Sequence, residues 1–401
     1  MRRALAAAVV VVALASLSGC FLVEKADEFV VDELDAEAFY DMPDDLATGE
    51  PGEVIRTQPL LGAPEGAQAW RVAFHTTGQD GGDIPASAVL VVPSTPAPAG
   101  GRVVVSWSHP TTGVAPECAP SRFDDPFLGI EGLSLLLAEG FAVVAADYPG
   151  MGIPGTSAYL LGVPESNAVL DAARAARSLD QTDASGRLLL WGHSQGGQAA
   201  LFAAQRAPQY APELDLLGVA VAAPAADLRA LMTDDIVNVS GVTIAAYAVP
   251  AYREAYADTY GQAAIDAIFT PEGLEAIPAV QRYCLLTQTG AIHDVTQPLV
   301  GRFVHSDPAT TEPWATMLAE NSVGSQPIGV PVFVGQGLAD ELVVPSATES
   351  FVRSLCERGE HVVFERYDGV NHGEAAYASL PALLPWTLGV LRGDSPSRCG
   401  E

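Results

Sequence analysis

Arg187-Leu188-Leu189-Leu190-Trp191-Gly192-His193-Ser194-Gln195-Gly196-Gly197-Gln198-Ala199-Ala200-Leu201-Phe202-Ala203 joins a short apolar run to an alanine-rich one through glycines that surround a serine. The first run reads as a buried strand and the second as a helix, which puts Ser194 on the turn between them. The spacing Gly192-x-Ser194-x-Gly196 has a steric cause. A turn this sharp strains the serine backbone and crowds the positions two before and two after, so side chains there must be as small as glycine. The helix N-terminus behind Ser194 brings positive potential to where an oxyanion would develop, and the Gln195 N–H is one donor aimed there.

Outward from this turn, strand-like and helix-like segments alternate. Arg102 to Trp107, Phe141 to Ala146, Leu217 to Ala222, Val330 to Gly335 and Val362 to Tyr367 read as buried strands bounded by Gly, Pro or polar residues. Gln68 to Thr76 and Ala86 to Val92, separated by Gly78-Gln79-Asp80-Gly81-Gly82-Asp83, read as an antiparallel pair. Glu165 to Leu179 is the clearest helix, with Val169, Ala172, Ala173, Ala176 and Leu179 on one stripe and charges on the other. The fold class is therefore α/β, a mostly parallel sheet with helices on both faces. About a hundred residues separate the strands ending at Ala222 and starting at Val330, too many for one crossover, so an inserted cap is expected. Its Tyr247, Tyr252, Tyr256, Tyr260, Phe269 and Trp314 are expected mostly to build the cap's own core.

A serine hydroxyl is a poor nucleophile near neutrality and needs a base oriented by a carboxylate. His372, in Gly369-Val370-Asn371-His372-Gly373 after the last strand, stands where the base is expected. His75 and His109 precede the serine, His293 and His305 lie in the insertion, and His361 starts a strand. His193 adjoins the serine with its side chain directed elsewhere. Asp340, in Gly335-Gln336-Gly337-Leu338-Ala339-Asp340-Glu341, is the candidate acid at the carboxyl edge of the sheet; Glu341 is its near rival and Asp368 a weaker one. A second oxyanion donor is expected after the strand at Trp107, in Ser108-His109-Pro110-Thr111-Thr112-Gly113. Pro110 has no N–H, which leaves Thr111 as the donor. Asp147-Tyr148-Pro149-Gly150-Met151-Gly152 reads as a structural loop lining the site. The histidines and cysteines lack metal-ligand spacing, and no nucleotide-type glycine loop follows the first strand; neither metal nor cofactor is expected.

The net charge of −29 excludes nucleic acid, repels anionic surfaces and favours neutral substrates. Arg2 and Arg3, an apolar stretch from Ala4 to about Leu17 and small residues before Cys20 read as a cleaved export signal, too short to span a membrane. Leu17-Ser18-Gly19-Cys20 resembles the lipobox of bacterial lipoproteins, which implies lipidation of Cys20; an ordinary secretory signal is the alternative. Residues 23–50 hold eleven acidic side chains against one lysine, as a solvated tether or a charged surface segment would. Beyond Cys20 remain Cys118, Cys284, Cys356 and Cys399, enough for two disulfides in three connectivities. The expected organisation is a signal peptide at 1–19, lipidated Cys20 and tether at 20–50, a core at 51–224 and 326–401, and a cap at 225–325. The membrane is met only through the N-terminal lipid, and a monomer is expected.

From about Ala38-Phe39-Tyr40 to the C-terminus the chain resembles the secretory lipases of the α/β-hydrolase superfamily, the lipase-A-like group. The resemblance rests on His109-Pro110-Thr111-Thr112-Gly113 with Cys118-Ala119-Pro120-Ser121, on Asp147 to Gly152, on the Ser194 turn, on Thr270-Pro271-Glu272-Gly273, on Gly337 with Asp340-Glu341-Leu342-Val343, and on Gly369 with Asn371-His372-Gly373. It implies an α/β-hydrolase fold with a helical cap, activity on acylglycerols and simpler esters, a triad of Ser194, Asp340 and His372, and bridges Cys118–Cys284 and Cys356–Cys399. Related sequences read His-Gly-Thr-Thr-Gly where this one has Pro110. An envelope acyltransferase with the same triad, a peptidase of this fold and a non-catalytic lipid-binding lipoprotein are the rival functions.

Overall fold

The computed structural model describes residues 37–399, so the expected signal peptide, Cys20 and the first part of the expected tether lie outside the described residues. Residues 37–46 belong to a unit of their own, opening with a helical turn at 37–40. The chain from Ala47 onward forms the second unit.

Among the described residues, nine strands form one sheet in the order β1-β2-β3-β5-β4-β6-β7-β8-β9. They are β1 Val54–Pro59, β2 Ala67–Thr77, β3 Asp83–Pro93, β4 Arg102–Ser108, β5 Ala142–Ala146, β6 Ala184–His193, β7 Asp215–Ala222, β8 Val332–Gly337 and β9 Val362–Tyr367. The first three pair antiparallel and β3 joins β5 antiparallel; from β5 to β9 every pairing is parallel. The mostly parallel sheet is the one expected from the alternating segments, and the arrangement is the α/β-hydrolase fold that the resemblance implies. β1 escaped the sequence reading because Arg56, Gln58 and a register shift interrupt its apolar pattern. β8 starts two residues later than expected, after Pro331, and ends two later at Gly337, so it includes Gln336, which bonds Asp340.

The period of two along each strand divides the core between the two faces. Val105, Trp107, Leu189 and Trp191 pack on one side with the helices Leu133–Ala138 and Ala375–Leu391. Val104, Leu188 and Leu190 pack on the other with Gly162–Ser178, Gln195–Tyr210 and Pro345–Glu357. On helix Gly162–Ser178 two of the charged residues opposite the apolar stripe are not solvated. Glu165 and Asp171 are fully buried, because this helix is covered by Gln195–Tyr210 as well as by the sheet. Asp171 accepts hydrogen bonds from Thr76 and Tyr210 at 2.7 Å each and pairs with Arg174 at 2.7 Å, which is how a buried carboxylate is tolerated.

Between β7 and β8 run the helices Leu228–Asp235, Val239–Tyr260, Gln262–Asp266, Pro271–Val280, Leu285–Thr296 and Trp314–Glu320. Tyr247, Tyr252, Tyr256, Phe269 and Trp314 are buried. Tyr252 stacks on Trp314 at 5.2 Å, and Phe269 meets the same indole edge to face at 5.5 Å. No helix among the described residues is long and apolar enough to cross a membrane.

Candidate active site

Ser194 has φ 56° and ψ −118°, a conformation that costs a non-glycine residue about 1–3 kcal/mol. The surrounding turn enforces it. A Cβ on Gly192 would lie 2.1 Å from the Gly196 carbonyl oxygen, and one on Gly196 would lie 1.9 Å from that of Ser108, so neither position admits a side chain. The turn thereby holds β6 and its helix close against the end of β4, where the loop 109–113 begins.

The structure brings Ser194, His372 and Asp340 together from the ends of β6, β9 and β8. Ser194 Oγ lies 2.8 Å from His372 Nε2, and His372 Nδ1 lies 2.8 Å from Asp340 Oδ2. Asp340 is 4% exposed. Its Oδ1 accepts from the backbone N–H groups of Leu342 and Val343 at 2.9 Å each, and its Oδ2 accepts from Gln336 Nε2 at 3.2 Å. His372 starts a short turn capped by Asn371, whose side chain accepts from Glu374 N. Glu341 lies instead in an outer cleft with Asn238, Ser240, Asn371 and His372, and Asp368 is exposed.

Thr111 stands beside the serine turn, its Oγ1 donating to Gln195 Oε1 at 3.2 Å and lying 2.8 Å from the Tyr159 hydroxyl. Pro110 is accommodated without slack. Burial pushes the His109 imidazole down to about 4, against the opposing effect of its bond to Pro110, and the neutral ring donates from Nδ1 to the Pro110 carbonyl at 2.7 Å. That ring stacks on Tyr148 at 4.2 Å, and the Tyr148 hydroxyl donates to the His109 carbonyl at 2.9 Å. The loop Asp147 to Gly152 thus supports the loop 109–113 through Tyr148. Cys118 and Cys284 are bonded, as are Cys356 and Cys399. The first bridge lies against Gly113, and Leu285 N donates to the Thr112 carbonyl at 2.8 Å, so the helical insertion is stitched to the loop 109–113.

Three carboxyls had no local sequence signal as site residues. Glu165 Oε1 accepts from the Gln195 side chain at 2.6 Å and from Leu160 N at 3.0 Å. Burial nonetheless raises it to about 8, outweighing both hydrogen bonds. The folded state therefore holds this proton where the unfolded chain has lost it. Stability from Glu165 is complete below its ordinary value of 4.5, falls by roughly 1.4 kcal/mol per pH unit above that, and is lost as pH passes 8. Glu165→Gln, which keeps an oxygen for both donors, is expected to raise the melting temperature much more at pH 8 than at pH 5; equal gains in thermal melts at the two pH values would contradict this assignment. Asp235 is pushed up to about 7 by burial, with Asp234 and Asp340 adding in the same direction and Asn238 opposing. Glu131 is buried beside His193.

Ser194 opens into a narrow apolar cavity. Leu160, Leu228, Leu231, Ile244 and Ala248 are among its lining residues, with Asp235 beside them. Ser194 itself is 7% exposed. Its lining is predominantly apolar.

Comparison with known proteins places the chain in a family. Lipase A of Moesziomyces aphidis is 22% identical over 392 residues, covering 90% of this chain and 80% of its own. A Mycobacterium tuberculosis protein named "Probable inactive lipase MT1628" is 26% identical over 373 residues, covering 87% and 80%. The crystal structure of Candida antarctica lipase A in its closed state superposes with a TM-score of 0.74 at 21% identity, over 90% of this chain and 87% of that one, a likeness of fold. The family model for secretory lipases matches residues 128–397. The chain belongs to the secretory lipase family of serine ester hydrolases.

Proposed function

We propose that Ser194, His372 and Asp340 are the catalytic triad of a hydrolase acting on neutral carboxylic esters such as acylglycerols. His372 Nε2 takes the Ser194 proton as Oγ attacks the ester carbonyl, Asp340 holds the ring and balances the imidazolium, and the N–H groups of Gln195 and Thr111 receive the oxyanion. His372 then protonates the departing alcohol, and water activated by the same imidazole releases the acid. The observation that carries this reading is the unbroken pair of 2.8 Å contacts from Asp340 through His372 to Ser194 at the mouth of an apolar cavity. A complete triad favours an active enzyme over a silent lipid-binding protein. The cavity walls and the net charge favour an uncharged acyl group over an anionic one. A panel of esters from acetate to long-chain triacylglycerol, run on the wild type beside Ser194→Ala, tests the reading. Ser194-dependent turnover of neutral esters supports it, and activity that persists in the mutant refutes it.

In this reading residues 225–325 are the cap over a core of 51–224 and 326–401. Cys20, outside the described residues, is the lipidated start of the mature chain and residues 20–50 its tether, on the strength of Leu17-Ser18-Gly19-Cys20 and the acidic run that follows. Cys20→Ser is expected to move the protein from the membrane fraction to the soluble one; an unchanged distribution would exclude the anchor.

A further inference from the structure

We propose that Glu131 and His193 form a second carboxylate–imidazole pair whose role is to position His372 by holding its backbone. The inference rests on the triad reading above.

Glu131 is 4% exposed and His193 3%. Trp107 and Trp191 are register partners on β4 and β6, and both indoles reach Glu131. Trp107 Nε1 donates to Oε2 at 2.8 Å, and Trp191 Nε1 donates to the Glu131 carbonyl at 2.9 Å. That fixes Oε1 against His193 Nδ1 at 2.9 Å. The other side of the same ring faces the reaction centre: His193 Nε2 lies 3.0 Å from the His372 carbonyl oxygen. The His193 side chain therefore does point away from Ser194, as expected, but it points at the backbone of the residue that must meet Ser194.

A carbonyl oxygen can only accept, so His193 Nε2 carries a hydrogen. The contact at Nδ1 also requires one, on the nitrogen or on the carboxyl oxygen. The pair thus holds one proton beyond a carboxylate and a neutral ring, and it is neutral overall, which suits its burial. The other titratable groups facing it are the Tyr148 and Tyr377 hydroxyls, both pushed up and uncharged, and the His372 ring at 5.1 Å from that of His193.

The consequence is geometric. His372 stands on an outer turn, with its side chain 20% exposed, and its ring must serve Asp340 and Ser194 at once. His193 is the chain neighbour of Ser194. A hydrogen bond from His193 to the His372 carbonyl closes a short circuit through the Ser194 turn, so the nucleophile–base separation is held from the backbone side as well as through the rings. Loss of such a second support displaces the base by fractions of an ångström, and misplacement near 1 Å costs on the order of 100-fold in rate.

His193→Phe fills the ring space without a donor. For a soluble p-nitrophenyl ester, kcat is expected to fall by about 10- to 100-fold with KM within about twofold. His193→Gln keeps an N–H for the carbonyl but turns its amide oxygen toward Glu131. Adding Glu131→Gln supplies a donor for that oxygen while still accepting from Trp107, so the double variant is expected to exceed His193→Gln alone in kcat. If His193→Phe does not fold, this second comparison carries the test. A folded His193→Phe with wild-type kcat, a change confined to KM, or a double variant no faster than His193→Gln would overturn the proposal. Ser194→Ala, measured alongside, separates the two levels: if it keeps activity, the triad reading itself has failed.

Discussion

Ser194→Ala is expected to lower kcat on the order of 10⁶-fold while the protein folds and binds substrate as before, because alanine removes only the attacking oxygen. Its partner experiment is Asp340→Asn, expected to cost about 10⁴-fold. The hydrogen-bond pattern around Asp340 explains why so small a change does so much. Oδ1 takes two backbone N–H donors, and Oδ2 takes Gln336 and His372 Nδ1, so all four neighbours donate. An asparagine must turn its NH₂ toward one of these pairs. Facing Leu342 and Val343, it leaves buried donors opposed; facing His372, it donates to Nδ1 and fixes the ring hydrogen on Nε2. That tautomer cannot accept the Ser194 proton. Turnover of p-nitrophenyl esters and fluorophosphonate labelling would read both variants, and labelling of Ser194→Ala at the wild-type rate would refute the assignment.

Replacing Cys118 and Cys284 together by serine should cost about 5 kcal/mol on the chain-entropy estimate, since the bridge closes a loop of 166 residues. The activity should suffer beyond the loss of folded protein. The bridge packs against Gly113, two residues from Thr111, and Thr112 accepts from Leu285 just past Cys284. Without the bond, the oxyanion loop keeps only hydrogen bonds to the insertion. The expected result is a large drop in the urea midpoint together with a fall in kcat measured well below that midpoint. An unchanged kcat in fully folded double mutant would mean that the loop is positioned by Tyr148 and His109 alone.

The parts of this protein that were legible in its sequence are those whose cause is local. The glycines around Ser194 are dictated by contacts within five residues and the adjacent strand end, and the alternation of apolar strands with helices follows from burial on both faces. Asp340 and His372 were found because each follows a strand at the same sheet edge. The rest depends on partners far apart in the chain. Glu165 carries no sign of its burial in the sequence, since nothing near it announces that a second helix will cover it. Glu131 meets His193 across 62 positions and His193 meets His372 across 179, so neither contact leaves a pattern in the intervening residues. β1 was hidden for a related reason: its pairing with β2 is made by backbone groups, while its side chains alternate poorly.

The two sides of the reaction centre differ in kind, and the difference bears on where the acyl group goes. The Ser194 side is closed and apolar, whereas the His372 side opens on Asn238, Ser240, Glu341 and Asn371. An acyl-enzyme formed here would have its chain among apolar walls and the His372 ring facing the polar cleft. Water and alcohols would then compete for one doorway, and hydrolysis and transfer become two outcomes of a single partition governed by solvent composition.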